Sequence, residues 1–346
     1  MAMRTVVVTG ASAGVGRATA IAFGRRGCRV ALLARDRAAL AAAAREVEQA
    51  GGRAIGLVTD VADPAQVEAA AERVERDLGP IDVWVNNAMA TIFAPLQRIS
   101  AEEFRRATEV TYLGAVHGTM SALRRMVPRD HGVIVQVGSA LAYRSIPLQA
   151  PYCGAKAAIR GFTDSLRCEL LHDHSRVRLT MVQLSAHNTP QFDWALSRMP
   201  RQPQPVPPIY APEVAAEAIV FAAEAGRREV WSGWPAVRAI VANMLAPGVI
   251  DRYLARTNYD AQQTGQATPD DRPANLFQPA PPALHRTHGR FAARERRGSV
   301  QMWLNRRRTP VLAGLGLGLG LAAVLSWRRL TPAPAHGGHT VARPRP

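Results

Sequence analysis

Lysine is almost missing from this sequence: of its 43 basic side chains only Lys156 is a lysine, and the rest are arginine. Cysteine is nearly as scarce. Cys28, Cys153 and Cys168 are odd in number, at spacings that match neither a zinc site nor a disulfide framework. A reduced, cytoplasmic-type compartment suits such a set, and no metal site is expected. Aromatic residues make up only 6% of the 346, but hydrophobic residues make up 47%, ample for a core. Met1 to Val8 reads as a short β-like run rather than a secretory signal, since a glycine turn follows at once. Acidic residues are few, and the net charge is +16. Twelve arginines and a single acid, Glu295, fall between Leu284 and Pro346. The charge therefore belongs to a tail, and no nucleic-acid partner is expected of the rest.

Against that background Lys156 is conspicuous, because arginine cannot replace a compact ammonium point charge. Tyr152 precedes it by four residues, so on a helix the two share one face. Ser139 lies thirteen residues before Tyr152, at the end of the apolar run Val133 to Val137, which reads as a buried strand. A hydroxyl, a phenol and an ammonium then converge on one crevice. A phenol acts as a general acid or base near neutral pH when its pKa is drawn down from about 10, and a nearby ammonium favours the phenolate.

Upstream, Thr5 to Val8 is a continuous β-branched run suited to a strand buried on both faces. It enters Thr9-Gly10-Ala11-Ser12-Ala13-Gly14-Val15-Gly16, and a helical pattern follows from Arg17. Strand, glycine turn and helix form the first part of a nucleotide-binding βαβ unit. Gly10 permits the tight turn, Gly14 lets a pyrophosphate approach, and Gly16 lets helix and strand pack. The helix N-terminus then faces the phosphates. A second strand, Arg29 to Leu33, ends at Ala34-Arg35, where NAD-binding folds place an acid. An arginine there accommodates a 2′-phosphate, which favours NADP(H), and Arg17 is placed to add a second positive charge.

Further strands are expected at Ala54 to Val58, ahead of Asp60-Val61, and at Ile81 to Val85, ahead of Asn86-Asn87-Ala88-Met89. The two asparagines suit a turn stiffened by side-chain bonds to the backbone. One long helix from about Ala101 to Val127 carries Thr111, and a later strand spans Val177 to Leu184. Leu184 to Tyr210, with Thr189-Pro190, Phe192, Trp194 and a cluster of five prolines from Pro200 to Pro208, reads as an apolar lid over a ligand crevice. A helix from Pro212 to Ala225 and a strand at Glu229 to Trp231 complete the pattern.

From Thr5 to Trp231 these motifs resemble the short-chain dehydrogenase/reductase family. The resemblance implies a single doubly wound Rossmann domain around a seven-stranded parallel sheet, and hydride transfer between NAD(P) and an alcohol or carbonyl. It implies Tyr152 as acid/base, Ser139 as the group that orients the substrate oxygen, and Lys156 as ligand of the nicotinamide ribose. The cofactor-binding set it implies is Gly10, Ser12, Ala13, Gly14, Gly16, Arg35, Asp60, Val61, Asn87, Ala88, Tyr152, Lys156 and Thr189. Thr111 stands where the family commonly has a catalytic asparagine, Met89 where it has glycine, and Leu184-Ser185-Ala186 where it has Pro-Gly. Members often form dimers or tetramers, so a homo-oligomer is expected.

Beyond the domain, taken as residues 1–250, residues 251–308 read as a polar, proline-rich and then arginine-rich linker. Residues 309–327 carry no charge and are bracketed by arginines, the length of a single membrane-spanning helix, with residues 328–346 a short tail. The arginine excess ahead of the run places the catalytic domain on the cytoplasmic side; the alternative is a cytoplasmic protein with a free tail. The sequence thus points to an NADP(H)-dependent oxidoreductase of a lipophilic alcohol or carbonyl, anchored to membrane lipid. A non-catalytic sensor or scaffold on the same fold is the competing reading.

Overall fold

The computed structural model describes residues 4–307; the main body ends at Met302 and a second unit begins at Trp303. The run 309–327, read above as a membrane span, lies outside the described residues. Among those described, no helix is long and apolar enough to cross a membrane.

Seven parallel strands form one sheet: β1 (Thr5–Thr9), β2 (Arg29–Ala34), β3 (Arg53–Val58), β4 (Ile81–Asn86), β5 (Val133–Ser139), β6 (Arg178–Leu184) and β7 (Glu229–Ser232), in the spatial order β7-β6-β5-β4-β1-β2-β3. The continuous apolar runs are explained by helices on both faces. Val6 and Val8 pack with Val30, Leu32 and Val135 beneath helices α1 (Gly14–Gly24) and α2 (Arg37–Gln49). Val7, between them, points the other way, into a core with Ala31, Trp84 and Ile134 beneath α3 (Pro64–Leu78). Because successive side chains alternate in direction, a strand covered on both sides must be apolar at every position. The strand order reverses between β1 and β4, and ligands of open α/β sheets bind outside the carboxyl ends of the strands at such a point.

The long helix expected from Ala101 to Val127 is instead three pieces. It comprises α4 (Ala101–Thr108), a π turn over Glu109–Leu113, and α5 (Gly114–Met126). Thr111 sits in the π turn, where its hydroxyl donates to the Ala90 carbonyl at 3.0 Å and accepts from the Ala90 amide at 2.9 Å. A side chain tied to a neighbouring loop in this way accounts for a local widening of the helix. A buried polar cluster then braces α5 against the sheet. Trp84 Nε1 donates to Asn86 Oδ1 at 2.8 Å, and Asn86 Nδ2 donates to Thr119 Oγ1 at 3.0 Å and Gln136 Oε1 at 3.1 Å. The longer of the other helices are α6 (Ala150–His172), α7 (Pro212–Ala225), α8 (Trp234–Leu245) and α9 (Pro247–Ala261).

The stretch whose composition reads as a linker continues to pack on this body. Gln263–Ala267 pairs with Arg201–Pro203 as a short antiparallel ladder. Leu276, Ala280 and Phe291 are buried, Phe291 edge-on to Phe192 with ring centroids 5.9 Å apart. Arg272 donates to the carbonyls of Phe192 (2.8 Å) and Ala195 (3.2 Å). Segment side chains join in as well, Arg286 and Arg290 both donating to Asp193 at 2.8 Å.

Candidate functional site

The carboxyl ends of β1 and β4 are clasped together. Thr9 Oγ1 accepts from the amides of Asn87 (2.9 Å) and Ala88 (3.0 Å), while Asn87 Nδ2 donates to the carbonyls of Thr9 (2.9 Å) and Gly10 (3.3 Å). The expected stiffening by Asn87 is thus a specific bond set, whereas Asn86 turns inward to the Trp84 cluster. Gly10 and Gly14 have φ of +65° and +54°, which glycine adopts without strain. A Cβ on Gly16 would lie 2.2 Å from the Gly10 carbonyl oxygen, so α1 packs on the turn with no room to spare. Ala13 is the N-cap of α1 and offers no side-chain cap, which leaves the first amides of the helix for a ligand or another chain segment.

At the next strand end, Arg35 lines the same cleft. Its two terminal nitrogens donate to four consecutive carbonyls of the C-terminal segment, those of Asn275, Leu276 (3.3 Å), Phe277 (3.1 Å) and Gln278 (3.5 Å). Burial draws its pKa down, partly opposed by Asp60. Asp60 also lines the cleft and is paired with Arg106. Arg17 does not serve the cleft as expected. It is buried and committed to Glu46 through two bonds of 2.8 Å and to the His285 carbonyl at 2.8 Å. The partner carboxylate on α2 and the arriving tail carbonyl satisfy it from behind the turn.

Beyond the glycine turn lie the three residues singled out first. Ser139 ends β5, and its hydroxyl accepts from the Leu141 amide at 3.1 Å, which fixes the first turn after the strand. Tyr152 and Lys156 stand one turn apart on α6, with the Lys156 ammonium 5.6 Å from the Tyr152 ring centre. Lys156 is buried and donates to the Val137 carbonyl at 2.6 Å; burial lowers its pKa to about 8. Tyr152 keeps part of its ring exposed, yet burial pushes its phenol above the usual range, against a hydrogen bond with Ser139 that pulls it down. The expected lowering by Lys156 is absent from this geometry. The ammonium is turned to a backbone carbonyl and is itself desolvated, so burial of the phenol dominates.

One cavity of about 1100 Å³ joins these parts, lined by Gly10, Ser12, Ala13, Gly14, Gly16, Arg35, Asp60, Val61, Asn87, Ala88, Ser139, Tyr152, Lys156 and Thr189. Thr111 does not line it; its hydroxyl is spent on Ala90. Phe192 and Trp194 of the expected lid are buried and line the cavity from above. Sequence reading missed several wall residues. Trp234, Val237, Leu245, Tyr253 and Leu254 of α8 and α9 form an apolar far wall, and His187 lines the floor after β6. His285 reaches back from the tail to within 3.1 Å of Ser12 Oγ. The wall had a signal, an uncharged stretch from Ala239 to Ile250; His285 had none. Among the described residues, no group of His, Cys, Asp or Glu could hold a metal ion.

Comparison with known proteins identifies the family and the fold. The family model for short chain dehydrogenase matches residues 4–197. The uncharacterized oxidoreductase YxnA of Bacillus subtilis (strain 168) is 32% identical over 274 residues, which cover 79% of this chain and 75% of that one. An alcohol dehydrogenase from the archaeon Thermococcus sibiricus, solved in complex with 5-hydroxy-NADP, superposes with a TM-score of 0.55 at 27% identity, covering 66% of this chain and 94% of that one. NAD+-bound xylitol dehydrogenase superposes with a TM-score of 0.51 at 30% identity, covering 53% and 70%. The chain belongs to the short-chain dehydrogenases and is an oxidoreductase acting on CH–OH or C=O groups.

Proposed function

We propose that this protein is an NADP(H)-dependent reductase of lipophilic carbonyl compounds, with Tyr152 as proton donor. One observation carries the reading: a single cleft runs from the glycine turn past Ser139, Tyr152 and Lys156 to the apolar wall of α8 and α9. The turn suits a dinucleotide: Gly10 and Gly14 take positive φ and Gly16 packs against the Gly10 carbonyl, which keeps the turn tight beside the α1 N-terminus. The two solved neighbours differ in cofactor, one holding an NADP analogue and the other NAD+. The choice therefore falls to the residues, and Arg35 stands where a 2′-phosphate is recognised.

When bound, the dinucleotide supplies a hydride, with its electron pair, to the carbonyl carbon. The chain does the rest. The Ser139 hydroxyl donates to the carbonyl oxygen and holds it beside the phenol. As the π pair moves onto that oxygen, Tyr152 delivers its proton there, and the product is an alcohol. Burial that holds the phenol above its usual range keeps it in the protonated form that donates. Lys156, with an amine pKa near 8, stands one helical turn away to bind the nicotinamide ribose and return a proton to the phenolate. The π turn at Thr111 serves by holding the Ala90 loop at the cleft edge.

The test is NADPH consumption against a panel of ketones and aldehydes of graded hydrophobicity. Tyr152→Phe should cost about two to four orders of magnitude in turnover, the usual worth of general acid catalysis, with NADPH still bound. A Phe variant of near-normal turnover sinks the assignment. The uncharged run at 309–327 supports a membrane setting for such substrates. A high-salt wash followed by an alkaline wash of membranes tests it: a span survives both, while a basic tail resting on lipid leaves with salt.

A further inference from the structure

The C-terminal segment holds the guanidinium that the cofactor reading needs. We infer that residues 275–278 set the discrimination between NADPH and NADH by competing with the 2′-phosphate for Arg35. This rests on the proposed role of Arg35. A guanidinium has five N–H donors, and here the four on its terminal nitrogens point at carbonyl oxygens of Asn275, Leu276, Phe277 and Gln278. Arg106 adds a second cation, donating to the Leu276 carbonyl at 3.2 Å. Two guanidiniums gathered on a cluster of oxygens are what a phosphate would otherwise organise, and the carbonyls occupy that position. A 2′-phosphate can take Arg35 only if these carbonyls give way.

At the glycine turn the tail meets both cofactors alike: the Arg286 carbonyl takes the Gly14 amide and His285 lies 3.1 Å from Ser12 Oγ, where either dinucleotide carries the same pyrophosphate. That contest cancels between NADH and NADPH, and only the 2′-phosphate adds a demand on residues 275–278. Residues 275 and 276 are also held by contacts away from Arg35. The Leu276 side chain is buried in the core with Val61 and Val67, and the Asn275 amide donates to the Trp194 carbonyl at 3.0 Å. After Gln278 come Pro279-Ala280-Pro281-Pro282, and a second attachment follows where the Gly14 amide donates to the Arg286 carbonyl at 3.0 Å. Residues 275–278 can therefore leave Arg35 only by freeing the Asn275 amide and loosening the Leu276 side chain.

Two measurements on the full-length protein test this. In hydrogen exchange, saturating NADPH should raise deuterium uptake across residues 275–278, including the Asn275 amide, while saturating NADH should not. Unchanged or lower uptake with NADPH, at occupancy verified by calorimetry, overturns the inference. The second uses Leu276→Ala, which loosens the segment and leaves Arg35 intact. If nine chains in ten are docked, apparent affinity for the phosphate-bearing cofactor is reduced about tenfold. The ratio of NADH to NADPH dissociation constants should accordingly widen by about that factor in the variant. A ratio that stays put refutes the competition. Adding Arg35→Ala to the Leu276→Ala chain separates the two ideas. If that double variant keeps its full NADPH preference, the role given to Arg35 is wrong; if the preference collapses while the exchange result is negative, only the competition is wrong.

Discussion

The same substitution, glycine to alanine, should have opposite signs at two positions of this protein. At Gly16 a Cβ would meet the Gly10 carbonyl oxygen at 2.2 Å and Asn87 Nδ2 at 2.5 Å, more than 1 Å inside ordinary contact. Neither neighbour is a free side-chain end: one is backbone of the turn, and the other is the amide that ties β4 to β1. To make room, α1 must retreat from the turn or Asn87 must give up its bonds to Thr9 and Gly10. Overpacking of this kind costs about 1–3 kcal/mol, and the loss of a buried hydrogen bond adds about 1 kcal/mol. Gly16→Ala should therefore destabilise by about 2–4 kcal/mol and weaken dinucleotide binding along with it. Gly154 lies on α6 between Tyr152 and Lys156, is exposed, and has nothing within 4 Å of an added Cβ. Alanine there removes backbone freedom from the unfolded chain and should stabilise by about 0.5–1 kcal/mol with turnover unchanged. Urea unfolding of the three chains, read by tryptophan fluorescence, gives both numbers. If Gly16→Ala is as stable as the parent, the close packing of α1 on the turn is not what holds this site.

Lys156→Arg should lose most turnover although it keeps a positive charge, because the buried amine meets the Val137 carbonyl as a compact point charge, a geometry that a planar guanidinium does not reproduce; steady-state kinetics on a confirmed substrate would show it. His187 is buried and neutral, its pKa pulled from 6.5 to about 4 by burial. Between those values the unfolded chain binds more protons than the folded one, so stability should fall as the pH drops from 6.5 toward 4, by up to about 3 kcal/mol. Melting curves of His187→Gln across that range should show a shallower decline than the parent; an identical decline places the acid sensitivity elsewhere.

The parts legible in the sequence are those with a side-chain signature. Thr5 to Val8 had to be a doubly covered strand, and Gly10, Gly14 and Gly16 had to mark a turn that a helix crowds. Tyr152 and Lys156 share a helix face by spacing alone. What escaped had other causes. The π turn at Thr111 arises from one hydroxyl bonding the Ala90 backbone, which no periodicity reports. The direction of the Tyr152 shift depends on how deeply the phenol lies, not on which residue is four positions away. The docking of residues 275–278 is made by backbone carbonyls, which every residue possesses, on arginines that are indistinguishable in so arginine-rich a chain. Arg17 illustrates the same difficulty from the other side, being placed correctly beside the turn but claimed by Glu46 on a helix that spacing does not position.

Lys156 is the single ε-amino group of the chain, and it is 2% exposed. Proteolysis is simplified as a result. An endoprotease that cleaves only after lysine has one bond to cut, between Lys156 and Ala157, in the middle of α6. The bond lies mid-helix and the Lys156 side chain that a protease must seat is buried, so cleavage requires the helix to open. Each cut chain yields two fragments of similar size and no others. Under brief digestion the fraction converted counts open molecules directly. Nucleotide, substrate or a stabilising substitution would each register as a change in a two-band gel, with the cut site lying within the helix that carries Tyr152 and Lys156.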